Sequence, residues 1–172
     1  MLILLVGSPN NGGNALLRRY GAPPHRGQQL MENEKIDSLV ARAVEVDLDG
    51  IDFLSGFDYA TLKREYNGIG PEWAGAAVRE KVTQHLGIFE PAALIHDMRN
   101  YKSDGSRYAF NFANIEFQTN CLKLADAAYP WYSWKRYRAR ATAHIAYDFV
   151  SGPGGWKAWR DSYERNLTLT QQ

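Results

Sequence analysis

The chain has 172 residues, 45% of them apolar and 13% aromatic, enough to bury one sizeable core and too few to argue for two. Twenty basic residues against nineteen acidic ones leave a formal charge of +1, which excludes a global field that would draw nucleic acid or an anionic bilayer. The single cysteine, Cys121, excludes an intrachain disulfide and a cysteine cluster for zinc.

"MLILLV" at the start is six apolar residues with no basic residue before it, too short for a signal peptide or a membrane span, and it reads as a buried strand. "GSPNNGG" and "GAPPHRGQQ" are turn and loop chemistry, in which Gly and Asn tolerate positive φ and Pro fixes its own. "ARAVEVDLDG" alternates Val44, Val46 and Leu48 against Glu45, Asp47 and Asp49, the period of a half-buried strand. Residues 1–50 are therefore expected to be irregular and strand-bearing, with a small β element and little helix.

From Tyr59 the periodicity turns helical, and a helical core over 57–166 is expected within a single domain of 1–172. "EWAGAAVREKVTQHLG" starts just after Pro71 and stops at Gly87, fitting the first turn and the end of a helix. "EPAALIHDMRNY" follows, with Pro91 again near a first turn. In "RYAFNFANIEFQTNCLKLADAA", Phe110, Ala113, Phe117, Cys121 and Leu124 recur at three- and four-residue steps, one apolar stripe of a helix over 107–126. A further helix is expected from Trp131 to Phe149, where Trp134, Tyr137, Ala141, Ile145 and Phe149 repeat the pattern as a core stripe. "SGPGG" breaks it, and a short aromatic segment around Trp156 and Trp159 precedes a polar tail.

Three motifs carry bland readings better than chemical ones. In "LLVGSPNNGGN" the spacing of Gly7 and Gly12 is that of a phosphate-binding loop, but Gly13 and Asn14 stand where Lys and Ser or Thr are needed. "WYSWKRYRARA" interleaves aromatics with Lys135, Arg136, Arg138 and Arg140, as base-stacking surfaces do, yet a solvated basic face over a core stripe is more economical. Nucleic acid is therefore not the expected partner. His85, His96 and His144 lack the i, i+4 spacing of a helical metal pair.

"YNGIGP" and the His96–Asp97 pair form a more specific combination. Tyr66, Gly68 and Gly70 stand in a Y-x-G-x-G arrangement whose glycines let backbone carbonyls turn inward. Calcium takes six to eight oxygen ligands, commonly carbonyls and carboxylates, so such a loop beside Asp97 suits a hard cation. Adjacent helical positions point about 100° apart, so His96 and Asp97 would flank a reacting centre from two sides.

With "YNGIG" at 66–70 and "EPAALIHD" at 90–97, the chain resembles the phospholipase A2 superfamily, and within it the cysteine-poor domains of parvoviral capsid proteins; Ala92 and Ala93 stand where disulfide-bonded relatives carry cysteines. "ANIEF" at 113–117 occupies the place of an A-D-x-x-F segment whose aspartate orients the histidine. The end of the chain, with "IHD" and "GPGGW" at 152–156, is similar to a phage and prophage family of unknown function. Together the resemblances cover roughly residues 66–156. They imply a mainly α fold, a phospholipase A2-like core of two antiparallel helices carrying the His–Asp site. They further imply calcium held by Tyr66, Gly68, Gly70 and Asp97, with His96 and Asn114 as the catalytic pair.

Asn114 replaces the orienting aspartate, so it can hydrogen-bond the imidazole but not stabilise an imidazolium by charge. Glu116 lies two residues on, about 200° around the helix, and is not expected to substitute. Asn100 holds the place of a family tyrosine, with Tyr101 one step beyond, and Glu90 stands for an aspartate. The expectation is thus a phage-type virion structural or virion-associated protein with degraded or no catalysis, located in the virion or the host cytoplasm. Its partners would be neighbouring virion proteins or further copies of itself. The alternative is a calcium-dependent phospholipid acyl-ester hydrolase with His96 as general base.

Overall fold

The computed structural model describes residues 26–66 and 86–170, and every element among them is helical. The "MLILLV" strand, the glycine-rich loop after it, Gly68, Gly70, His85 and nearly all of the helix expected after Pro71 lie outside the described residues.

Helix α1 spans Arg26–Glu45 and is followed by a 3-10 segment, Ile51–Gly56, and by α2, Tyr59–Glu65. A 3-10 turn, Gly87–Phe89, leads into α3, Glu90–Tyr101; then come α4, Arg107–Ala128, α5, Trp134–Ser151, and α6, Pro153–Thr170. Side-chain oxygens cap three of them: Asp58 accepts from the Thr61 amide, Ser106 from Ala109 and Ser133 from Lys135, each satisfying a donor that a helix start leaves unpaired.

The strand expected over Val44–Leu48 is not there. Ile36, Leu39 and Ala43 are buried at three- and four-residue steps, so α1 runs on through Glu45 as an amphipathic helix. Val44 points to solvent while Leu48 is buried, the opposite of a strand that turns both to one face. The chain then reverses through left-handed backbone at Asp47 (φ 54°) and Gly50 (φ 81°). Five alternating residues are too few to outvote a helix that already has its own buried face.

Helix α3 is central. Every residue from Glu90 to Ile95 is buried, as is Met98, and the helix touches α1, α2, α4 and α6. Ala92 and Ala93 make this approach on several sides feasible, since small side chains keep neighbouring backbones near. Helix α4 meets α3 along the stripe read from the sequence: Phe110, Ala113, Phe117, Cys121 and Leu124 are all buried. Burial pushes the Cys121 thiol far above its ordinary range, which leaves it a small hydrophobe.

Helix α5 seats itself differently from expectation. Its inward residues are Ala139 and Ala143, 8% and 0% exposed, with Ala146 and Val150 partly buried beside them. Trp134, Tyr137, Ile145 and Phe149 are 73%, 61%, 68% and 56% exposed. Two alanines let α5 lie close on α4, and Arg136 and Arg140 both reach Asp126 of α4, at 2.7 Å and 2.7 Å. These contacts fix the rotation of α5, and they turn the aromatic stripe outward.

The "SGPGG" break is confined to Gly152, and the expected short segment with a polar tail is instead the 18-residue α6. A side chain at Gly155 would come within 1.7 Å of the Val150 carbonyl oxygen, so the α5–α6 corner requires glycine there. The corner brings Trp156 and Trp159 edge-on to Phe110, at centroid distances of 5.2 and 5.9 Å, with the Arg107 guanidinium 3.9 Å from the Trp156 ring centre. Among the described residues no helix is long and apolar enough to cross a membrane.

Candidate functional site at the junction of α3 and α4

His96 lies in the second turn of α3, after a run of buried residues, and its ring rests on Phe117 of α4 with centroids 5.0 Å apart. Its Nε2 is 2.9 Å from Oδ1 of Asn114, so the Nε2–H donates to the amide oxygen. The other ring nitrogen, Nδ1, lies 3.9 Å from Oδ1 of Asp97. The side chains of His96 and Asp97 are 17% and 29% exposed. Asn114 is buried, and its Nδ2 finds no hydrogen-bond partner among the described residues.

Tyr66, the first residue of the glycine loop, is buried at the end of α2, and its hydroxyl has no hydrogen-bond partner among the described residues. Burial pushes the phenol far above its ordinary range, and the nearby charges of Glu90 and Asp97 push the same way. The start of the loop is thus near enough to Asp97 to feel its charge. Lys35 of α1 completes this cluster: its ammonium is 3.2 Å from Glu90 and 5.6 Å from the Tyr66 ring centre.

Of the six site residues read from the sequence, the structure brings His96, Asn114 and Asp97 together and buries Tyr66 at the end of α2, within reach of the Asp97 charge; Gly68 and Gly70 lie outside the described residues. Glu116 does not approach His96. It is bound by Arg99 through two parallel hydrogen bonds of 2.9 Å, and the Arg99 guanidinium lies 4.0 Å from the Phe53 ring centre. His144 hydrogen-bonds Gln118. Among the described residues no three His, Cys, Asp or Glu side chains are grouped as a metal would need. A shallow cleft of about 290 Å³ lies between α1 and α3, lined by Arg42 and Glu90, and is not lined by His96.

Comparison with family models, with curated proteins and with solved structures finds no match.

Chemically, the arrangement holds the imidazole by one nitrogen and presents the other beside a carboxylate. The amide oxygen of Asn114 fixes which nitrogen carries the proton, but provides no full negative charge for an imidazolium.

Sequence reasoning missed a second polar junction. The Asn120 side chain is fully buried and clamps the Asp49 backbone, accepting from its amide at 2.8 Å and donating to its carbonyl at 2.9 Å. Lys123 adds bonds to the Asp47 carbonyl and the Asp49 carboxylate, at 2.7 and 2.8 Å. The signal available was the row Glu116, Asn120 and Lys123 on one edge of α4; its partner, a turn some seventy residues upstream, was not.

Proposed function

We propose that the chain is a structural or assembly subunit, of the phage virion or virion-associated kind that residues 66–156 resemble, on a phospholipase A2-like helical scaffold. The observation that carries this reading is the outward face of α5. Trp134, Tyr137, Ile145 and Phe149 run along one side of a helix whose opposite side already does the packing. With Trp131 and Tyr132 just before the helix, also exposed, they make an aromatic-rich exposed surface of the kind that marks interaction sites, rich in the residue types that anchor interfaces. Under this reading the His96–Asn114 contact is a bridge between α3 and α4. Sedimentation of the purified chain, with a fatty-acid release assay on phospholipid vesicles, tests it: assemblies and no hydrolysis are expected. A monomer at every concentration overturns it.

A second reading is favoured by one observation, the Asp97-side placement of His96 Nδ1 while Asn114 holds Nε2. It makes the chain a calcium-dependent phospholipid acyl-ester hydrolase. Asp97 with the carbonyls of Tyr66, Gly68 and Gly70 would hold calcium, an all-oxygen set that suits a hard cation, and the ion supplies stabilisation of charge developing on the ester oxygen. His96 Nδ1 takes the proton from water, and Asn114 keeps the ring in that tautomer. Calcium-dependent release of fatty acid, lost in His96→Ala, is the expected result. Equal turnover in excess chelator rules the mechanism out.

A further inference from the structure

The outward face of α5 carries two charges set among its apolar groups, Arg138 and Asp148, both exposed. Neither has a charged partner among the described residues, whereas Arg136 and Arg140, a turn to the side, are both committed to Asp126. At about 100° per residue, Trp134, Arg138, Ala141, Ile145, Asp148 and Phe149 fall on one side of the helix, and Ala139 and Ala143 on the other.

We propose that two copies of the chain pair through this face, with their α5 helices antiparallel about a two-fold axis level with Ala143. This names the partner in the assembly reading above and rests on it. In that register Arg138 meets the partner's Asp148, and by symmetry Asp148 meets the partner's Arg138. Tyr137 comes opposite the partner's Phe149, and Ala141 opposite the partner's Ile145, a small residue against a large one. Trp134 comes level with the partner's Gly152, where the helix ends. The same surface patch serves both copies, as a two-fold interface demands. A parallel pairing would set Arg138 against Arg138 and Asp148 against Asp148, a like-charge arrangement that costs affinity.

The area agrees with a dimer. An aromatic side chain presents roughly 150–250 Å², so Trp131, Tyr132, Trp134, Tyr137, Ile145 and Phe149, each more than half exposed, offer roughly 800 Å² per copy, the share a stable interface needs. A lipid surface fits less well. Asp148 would have to enter the apolar layer without a counter-charge, and the face has one cation and one anion, no surplus for anionic headgroups. Nucleic acid fits less well still, since two of the four cations of this segment are already paired with Asp126.

Sedimentation equilibrium on the full chain tests the register. The wild-type protein is expected to be a dimer. Arg138→Asp and Asp148→Arg each create two like-charge contacts, and each is expected to weaken dimerisation by about tenfold or more. The double variant Arg138→Asp with Asp148→Arg restores both pairs, and so does an equimolar mixture of the two single variants, which forms heterodimers. Both positions are exposed, so circular dichroism is expected to show an unchanged fold. Oligomers indifferent to these substitutions, or a mixture that fails to regain dimers, overturn the antiparallel pairing and leave the assembly reading standing. A wild-type monomer overturns both. Binding to phosphatidylglycerol vesicles by a chain that stays monomeric assigns the face to lipid and also overturns the pairing.

Discussion

Nε2 of His96 and Oδ1 of Asn114 stand 2.9 Å apart, an imidazole-to-amide contact that joins α3 to α4 beside the ring of Phe117. Asn114→Ala removes the acceptor and leaves a gap in a buried position, so it is expected to cost about 1–3 kcal/mol in urea unfolding. Asn114→Asp separates the two functional readings. A carboxylate there gives an imidazolium a counter-charge, so a hydrolase gains turnover in the fatty-acid assay, while an assembly subunit shows none before or after.

The Arg99–Glu116 pair joins the same two helices, with Glu116 only 6% exposed in its side chain. Arg99→Ala leaves that carboxylate without its donors and is expected to cost about 3 kcal/mol. Gly50 leans on the same group: a Cβ there would sit 2.6 Å from Glu116 Oε1, on backbone with φ +81°. Gly50→Ala is expected to cost about 1–3 kcal/mol. Because both substitutions disturb Glu116, their double-mutant cycle should depart from additivity.

Asn120 holds the turn before the 3-10 segment by satisfying both backbone groups of Asp49. Asn120→Ala leaves them unpaired and is expected to cost about 2 kcal/mol. Amide hydrogen exchange at Asp49 should accelerate, while exchange within the middle of α4 changes little.

Asp126 makes the seating of α5 on α4 sensitive to acid. Burial pushes its carboxyl up, but hydrogen bonds from Arg136 and Arg140, together with their charges, outweigh this and hold it below the usual value of 3.8. A value lower in the folded chain than in the unfolded one stabilises the fold above the unfolded value, and that contribution is lost as pH falls through the folded value. Unfolding curves below about pH 4 should therefore show a decline in stability that is shallower in Asp126→Asn.

Much of this protein was legible before any coordinates. The start of α3 at Pro91 followed from the fixed φ of proline, and the buried stripe of α4 from its period, since Phe110, Ala113, Phe117, Cys121 and Leu124 leave only one apolar side to bury. The His96 and Asn114 pairing was suggested by a resemblance, and the two side chains are in contact. On α5 the same reasoning failed, because that helix carries two interleaved stripes, one of aromatics and one of alanines, and period alone cannot say which faces in. Shape decided it: Ala139 and Ala143 allow α5 to approach α4, and Asp126 anchors Arg136 and Arg140 from the side. The strand expected at Val44 gave way for a related reason, as a short local alternation lost to the longer burial pattern of α1. Spacing along a chain fixes which residues share a face; only the neighbouring helices, through the room and the counter-charges they offer, determine whether that face is covered or left to water.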